Sequence, residues 1–334
     1  MRPHLIIIYI ALSALTACVR EEPQQSTDTH VGNFEALWQI IDQRYCFLDY
    51  KHVNWDSIHT VYLPQAENAK SSTYLFEVLC NMLAELRDGH VNLSYAADYG
   101  HYWKWKEDYP LNFDQELQDA YLGTDYNMAG GIKYRLLNDN IGYIVCGSFN
   151  DGFGEGNLDH VFAALIGATG MIIDVRSNSG GNLEYAQSLA ARFVDQRTLV
   201  GYTSFKSGPG HNDFSEPQAE YISPKSSLRW QKPAVVLTNR SCYSATNTFV
   251  RDIRESPYVT VMGDTTGGGS GLPLNTELPN GWSVRLSSAP MFDAQMRHIE
   301  FGIAPDIACG LDSALAHRGI DSMIEEARAF IKGN

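Results

Sequence analysis

Residues 170–182 read GMIIDVRSNSGGN and residues 234–246 read AVVLTNRSCYSAT, and the two stretches share one pattern. Each opens with a short apolar run, continues through a turn of polar and small residues, and leads into a helical pattern. Apolar runs that alternate with helices are typical of parallel strands buried on both faces. Strand-like runs at 141–145 and 258–262 extend the pattern. We therefore predict an α/β core with a mostly parallel sheet over residues 133–334.

The polar turns after these strands are the first candidate sites, because parallel sheets bind ligands at the carboxyl ends of their strands. Ser244 lies in the turn before a helix, where a hydroxyl is exposed and helix N–H groups are free. Serine is also a common helix N-cap, so the position alone leaves catalysis and capping open. Gly180 and Gly181 either direct N–H groups at developing negative charge or form a tight turn into a helix.

A glycine-rich segment, GDTTGGGSG at 263–271, has the composition of a phosphate-binding loop. It lacks the Gly-Lys-Ser/Thr ending, and strand-like residues follow it where a phosphate loop has a helix. The segment therefore does not indicate nucleotide binding. We predict a mobile loop on the substrate side of the site.

The N-terminal part of the chain reads as a small helical domain over residues 32–95. Apolar residues recur at helical spacing between Phe34 and Tyr45, and a second helix follows Ser72 or Thr73 as N-cap. The second helix runs into Arg87-Asp88-Gly89-His90 and then a strand-like run. A single histidine after a helix is most often a C-cap or surface residue. Residues 96–132 are aromatic and polar and are predicted to form an irregular connector.

The first 17 residues have the pattern of a signal peptide, with a short polar start and an apolar run too short to span a bilayer. The run ends in Leu15-Thr16-Ala17-Cys18, which is typical of a bacterial lipobox, so Cys18 is the predicted lipidation site. An ordinary secretory signal with a chance cysteine is the alternative. Residues 18–31 lack apolar periodicity and are predicted to be a flexible tether.

Charge and cysteine content limit the possible functions. The formal net charge of −14 argues against binding to nucleic acid and against electrostatic binding to anionic lipid, so membrane attachment would rest on the acyl chains. Five cysteines follow Cys18 without a C-x-x-C pair, which does not indicate a zinc site. Their odd number and apolar settings favour mostly buried free thiols. We predict neither a metal nor a cofactor.

Seven motifs occur in an order and spacing that resemble a known family. They are LRDGHV (86–91), LLNDNIGYI (136–144), IIDVRSNSGGN (172–182), VVLTNRSCYSAT (235–246), GDTTGGG (263–269), LPNGW (278–282) and IEFGIAPDI (299–307). In these motifs the chain resembles the C-terminal processing peptidase family, in particular its tricorn-core branch, from about residue 33 to residue 310. The resemblance implies a core of the crotonase and ClpP kind.

The resemblance also implies roles for individual residues. It assigns Ser244 rather than Ser241 as the nucleophile, with the N–H of Ala245 as one oxyanion donor. It takes the second donor from the glycine pair, Gly180 or Gly181.

The general base implied by the resemblance is a histidine, because Gly269 stands where one branch of the family has a lysine. His90 and Glu300 occupy the positions of the tricorn-branch histidine and glutamate. The tricorn pattern has a serine before its histidine, whereas this chain has Gly89, so the link between Glu300 and His90 stays open: direct, or through another hydroxyl. Only about fifty residues separate His90 from Tyr143, which is too few for a PDZ domain of usual size.

Taken together, these features predict a serine endopeptidase that cleaves peptides or unfolded proteins in the bacterial cell envelope, by Ser-His-Glu catalysis and without a metal. Two alternatives remain: a catalytically inactive lipoprotein that binds peptides or another ligand, and a crotonase-like enzyme acting on a coenzyme A thioester. Export argues against the second, because coenzyme A is cytosolic. The polar residues Asp88, Arg176, Asn178 and Thr266 are predicted to brace loops.

Overall fold

A computed structural model describes residues 27–333 of the chain. The predicted signal peptide, Cys18 and most of the predicted tether lie outside the described residues. The first helix begins at His30, so the last two residues of the predicted tether already belong to the folded part.

Within residues 27–333 the chain forms nine helices and fourteen strands. The helices are α1 His30–Arg44, α2 Trp55–Glu67, α3 Ser72–Ala84, α4 Gln115–Leu122, α5 Glu155–Leu165, α6 Leu183–Ala190, α7 Ala245–Ile253, α8 Ser313–Ala316 and α9 Ser322–Gly333. The strands are β1 Asn92–Tyr95, β2 Asp98–His101, β3 Asn127–Ala129, β4 Ile132–Leu136, β5 Ile141–Val145, β6 Gly170–Asp174, β7 Thr198–Thr203, β8 Gln218–Ile222, β9 Ala234–Thr238, β10 Val259–Gly263, β11 Leu272–Glu277, β12 Ser283–Ala289, β13 Met291–Asp293 and β14 Ile307–Ala308.

The core is a seven-stranded sheet in the order β14-β10-β9-β6-β5-β4-β3. Its first five strands are parallel to one another, and β4 and β3 add an antiparallel edge. Successive residues of a strand point to opposite faces, so Ile173 joins one hydrophobic cluster with α5, α6 and α7, and Ile172 joins another with α9. The predicted α/β core with a mostly parallel sheet is confirmed.

A second layer joins the N-terminal helices to a four-stranded sheet in the order β11-β12-β1-β2. Alternate residues of this sheet, including Leu93 and Val284, pack in one hydrophobic cluster with α1 and α3. Two of the four strands come from residues 272–289, beyond the predicted helical domain. The small helical N-terminal part is therefore present, but it shares its hydrophobic cluster with a hairpin from the C-terminal half.

Three local predictions need correction. Residues 96–132 are not wholly irregular, because they contain β2, α4 and β3. Helix α2 was not predicted; its N-cap is Asn54, whose side chain accepts from the Ser57 N–H. The N-cap of α3 is Ser71 and neither Ser72 nor Thr73, and its side chain accepts from the Tyr74 N–H.

No helix within residues 27–333 is long and apolar enough to cross a membrane.

Candidate functional site

Ser244 lies at the end of a buried turn that leads from β9 into α7. Its backbone has φ 56° and ψ −121°, a conformation normally taken by glycine. The strained turn is held by a hydrogen bond from the Ser244 backbone N–H to the Gly268 carbonyl, at 2.9 Å. The Ser244 hydroxyl makes no capping hydrogen bond to the helix. Ser244 therefore presents its side chain outward at the carboxyl end of the parallel sheet.

His90 lies between α3 and β1, and its ring faces Ser244. The distance from His90 Nε2 to Ser244 Oγ is 2.9 Å, although the two residues are 154 positions apart in the chain. The backbone N–H of His90 donates to Asp88 Oδ1 at 2.8 Å, and this bond fixes the backbone of the histidine. Burial lowers the pKa of His90 to about 4, despite the nearby charge of Asp88, so the imidazole is neutral at pH 7. A neutral imidazole is able to accept a proton from the hydroxyl.

Gly89 is required by the aromatic packing beside His90. A Cβ at this position would lie 2.7 Å from Trp105 and 2.7 Å from the Tyr243 hydroxyl. The rings of Trp105 and Tyr243 are stacked with centroids 4.0 Å apart, so they fill the space that a serine side chain would need. The relay hydroxyl of the tricorn pattern therefore has no room here.

Glu300 is buried near the site but makes no hydrogen bond to His90. Its Oε1 pairs with Lys51 Nζ at 2.7 Å, and its Oε2 accepts from the Ser270 N–H at 2.8 Å. The Nδ1 of His90 is buried and has no hydrogen-bond partner within residues 27–333. Of the two links left open for Glu300, the structure thus shows neither a direct contact nor a connecting hydroxyl.

Lys51 joins Glu300 to a second buried carboxylate, Asp88. Lys51 Nζ is 3.4 Å from Asp88 Oδ2, and the same oxygen accepts hydrogen bonds from Tyr45 and Ser287 at 2.8 and 3.0 Å. Burial tends to lower the pKa of Lys51, but the two carboxylates outweigh it and raise that pKa above its usual value. Lys51 is therefore charged at neutral pH.

The two carboxylates differ in their pKa directions. Burial raises the pKa of Asp88, but Lys51, His90 and the hydrogen bonds from the His90 N–H and Tyr45 lower it by more, and the net pKa lies below its usual value. Burial dominates at Glu300 and raises its pKa, with Lys51 only partly opposing the rise. The negative charge beside His90 is thus held mainly on Asp88. Sequence reasoning missed Lys51, whose only local signal is a charged residue in the aromatic segment YCFLDYK (45–51).

The two glycines near Ser244 differ in whether their backbone N–H groups are free to donate. The Gly180 N–H donates to Asn178 Oδ1 at 2.9 Å and is therefore occupied. Gly181 lines the cleft at φ 135°, and within residues 27–333 no protein group accepts from its N–H. The Ala245 N–H lies in the first turn of α7, where no acceptor is available within a helix. A Cβ at Gly180 would lie 3.0 Å from the Ala245 nitrogen, so Gly180 packs directly against the Ser244 turn.

The glycine-rich loop at 263–271 packs directly against the Ser244 turn. Residues 266–271 are buried, and the loop accepts from the Ser244 N–H through Gly268 and donates from Gly267 to the Cys242 carbonyl at 2.7 Å. The predicted position on the substrate side is therefore wrong. The glycines serve close backbone packing, since a Cβ at Gly268 would lie 1.8 Å from the Glu300 carbonyl oxygen.

Ser244 and His90 open onto a cleft of about 580 Å³. Its walls carry four aromatic residues, and Tyr99 and Trp103 are each about half exposed there. No aspartate or glutamate occurs among the described residues that line it. Exposed aromatic rings beside a hydroxyl–imidazole pair provide a surface for an extended chain with apolar side chains.

The other polar residues singled out in the sequence are structural in their contacts. Arg176 pairs with Asp174 and Asp321 in the core, at 2.7 and 2.9 Å. The Thr266 hydroxyl donates to Asn247 and accepts from the Ile303 N–H. The five cysteines within residues 27–333 are free thiols, three of them buried. No group of three or more His, Cys, Asp or Glu in that range is placed to hold a metal ion.

Two family profiles match separate parts of the chain. The profile of Peptidase family S41 matches residues 140–309, and that of the Tricorn protease C1 domain matches residues 27–84. The carboxy-terminal processing protease CtpA of Bacillus subtilis is 28% identical over 178 residues, which are 53% of this chain and 36% of that protein. The chain thus spans only about a third of the length of this curated relative.

Solved structures extend the similarity over the whole described chain. A candidate peptidase from Parabacteroides merdae is 50% identical, with 91% of this chain and 97% of that chain covered and a TM-score of 0.87. The tricorn protease shares the fold at 15% identity and a TM-score of 0.54, over 91% of this chain and 36% of that chain. The chain belongs to peptidase family S41, the C-terminal processing peptidases.

Proposed function

We propose that the protein is a serine endopeptidase in which Ser244 is the nucleophile and His90 the general base. The observation that carries this proposal is the 2.9 Å contact between Ser244 Oγ and His90 Nε2, at the end of a parallel sheet and open to a cleft. Membership of a peptidase family and the strained turn under Ser244 support it.

The reaction follows from the positions of these groups. His90 Nε2 takes the hydroxyl proton as Ser244 Oγ attacks the peptide carbonyl, and then returns the proton to the leaving amine. The N–H groups of Ala245 and Gly181 stabilise the oxyanion of the tetrahedral intermediate, and each such donor contributes about 3 kcal/mol. The N–H of Gly180 donates to Asn178, so it is not available to the oxyanion.

We assign the charge that stabilises the imidazolium to Asp88 in the first place. Asp88 accepts a hydrogen bond from the backbone N–H of His90 and forms an ion pair with Lys51. Lys51 also forms an ion pair with Glu300. Glu300 thus acts through Lys51 and Asp88 as a positioning residue. Lys51 is unsuited to act as a base, because two carboxylates keep it protonated. This supports a histidine base, as in the tricorn branch, over a Ser-Lys dyad.

The proposed setting is the bacterial cell envelope. It rests on the signal pattern of residues 1–17 and on Cys18 as lipid attachment site. The proposed substrates are peptides or unfolded proteins, because the cleft is open and has aromatic walls that suit an extended chain.

Labelling with a fluorophosphonate probe tests the proposal. The purified chain is expected to bind the probe covalently at Ser244, and both Ser244→Ala and His90→Ala should abolish labelling. Ser241→Ala is the matched control, because Ser241 lies in the same turn but has no histidine partner, and it should label like the wild type. A folded protein that takes no label would instead support the alternative of an inactive binding protein.

A further inference from the structure

Arg285 is a cation in the cleft without an acidic partner. It lines the cleft together with Ser244 and His90, and its side chain is partly buried. Within residues 27–333 no carboxylate lies within ion-pair distance of it and no hydrogen-bond acceptor takes its N–H groups. The chain as a whole carries a formal net charge of −14, so carboxylates outnumber cations, yet none of those described pairs with Arg285.

The sheet register places Arg285 in a row of polar residues across four strands. Asn275 of β11 pairs with Arg285 of β12, Arg285 pairs with Asn92 of β1, and Asn92 pairs with His101 of β2. All four residues line the cleft. Directly opposite residues have Cβ atoms about 5 Å apart, so the side chains of Asn92 and Asn275 flank that of Arg285.

The opposite face of the same sheet explains why this row is fixed. Leu93, Val284 and Leu286 alternate with the polar row and pack against the N-terminal helices. A shift of one residue in register would exchange the two faces, so the buried cluster holds Arg285 toward the cleft. Asn92 lies two residues after His90 on the chain, and its amide donates to the His90 carbonyl at 3.3 Å, which ties the row to the catalytic histidine.

On the basis of the proposed peptidase function, we infer that Arg285, flanked by Asn92 and Asn275, is a subsite that binds a carboxylate of the substrate. A guanidinium presents paired N–H donors that match the two oxygens of a carboxylate, and amide N–H groups add further donors. The absence of Asp and Glu from the described cleft lining leaves the guanidinium free for such a group. The carboxylate is either an acidic side chain or the C-terminus of the peptide, since both offer the same chemistry.

Paired peptides distinguish these sources and test the subsite. One series carries glutamate or glutamine in turn at each of the four positions on either side of a fixed scissile bond. A second series carries a free or an amidated C-terminus. We expect the wild type to favour the anionic member of one pair by about 10- to 100-fold in kcat/KM, because the discriminating bond is charge-assisted. A side-chain source gives a preference for glutamate at one position, and a terminal source gives a preference for the free acid.

The variants are chosen to separate recognition from folding and from catalysis. Arg285→Gln should remove the preference, so that kcat/KM falls far more for the anionic peptide than for its neutral partner, and Arg285→Lys should restore part of the preference. Arg318→Gln removes one exposed arginine outside the cleft and should leave the preference intact. An equal loss on anionic and neutral peptides in Arg285→Gln, or no preference in the wild type, would overturn the subsite.

A binding measurement keeps the result independent of peptide cleavage. Fluorescence anisotropy of the same peptides with the Ser244→Ala chain should show the same preference in Kd and its loss in the Ser244→Ala, Arg285→Gln double variant. Selective binding without cleavage by the wild type would refute the peptidase proposal and support the subsite. Cleavage without selectivity would refute the subsite alone.

Discussion

The backbone of Ser244 stores strain that a pair of variants at one position should reveal. At φ 56° and ψ −121° the residue adopts the conformation of the first central position of a type II′ turn, which favours glycine. A side chain in such a region costs about 1–3 kcal/mol. Ser244→Gly relieves this cost and Ser244→Ala does not. Both variants lose the 2.9 Å hydrogen bond to His90, so that loss cancels in the comparison.

The expected difference follows from two opposing terms. Glycine gains the relief of strain but loses about 0.5–1 kcal/mol, because its unfolded chain has more conformational freedom than that of alanine. The middle values of these two ranges predict that the free energy of unfolding of Ser244→Gly exceeds that of Ser244→Ala by about 1 kcal/mol. Urea denaturation followed by tryptophan fluorescence gives both values, and neither variant should react with a fluorophosphonate probe.

The same pair at Ser241 is the control. Ser241 lies in the same turn, but its φ is not positive. There Ser241→Gly should be less stable than Ser241→Ala by about 0.5–1 kcal/mol. The sign of the glycine–alanine difference should thus reverse between positions 244 and 241. A Ser244→Ala variant as stable as Ser244→Gly, or more so, would refute the claim that the nucleophile turn is strained.

Three further measurements follow from the buried charges. Lys51→Met leaves Asp88 and Glu300 without their cation and should lower the free energy of unfolding by about 3–5 kcal/mol. The control is Lys332→Met, which removes a half-exposed ion pair and should cost at most about 1 kcal/mol in the same urea assay. The pKa of His90 falls from 6.5 to about 4 on folding, so the unfolded chain binds its proton first as the pH falls. The stability contributed by neutral His90 is thus complete above pH 6.5 and decreases by about 3 kcal/mol toward pH 4, and a His90→Gln variant should lack this part of the decrease. The acid limb of kcat/KM should likewise lie well below pH 6.5, and a midpoint near that value would contradict a desolvated base.

Much of the core could be predicted because its signals are local. The apolar runs in β6 and β9 are readable as buried parallel strands because both of their faces are covered, so every position is buried and most positions are apolar. Because β9 runs parallel to its neighbours, the turn that follows it lies at the carboxyl edge of the sheet. Helix α2 was missed because its buried residues are few, with only Trp55 and Ala66 fully covered, and its apolar pattern is correspondingly weak.

The α/β core, the position of Ser244 on a strand-to-helix turn and, through the resemblance of its motifs, the family can thus be predicted from the residues alone. The groups that surround that serine become visible only in the folded chain. The contacts of Lys51 with Asp88 and Glu300, and the row that includes Arg285, join residues far apart along the chain. Such contacts depend on strand register and on how layers pack. Strand register and layer packing cannot be recognised from a periodic pattern in the sequence. A charged residue that is buried against a distant partner looks, in its local sequence, like any charged residue on the surface.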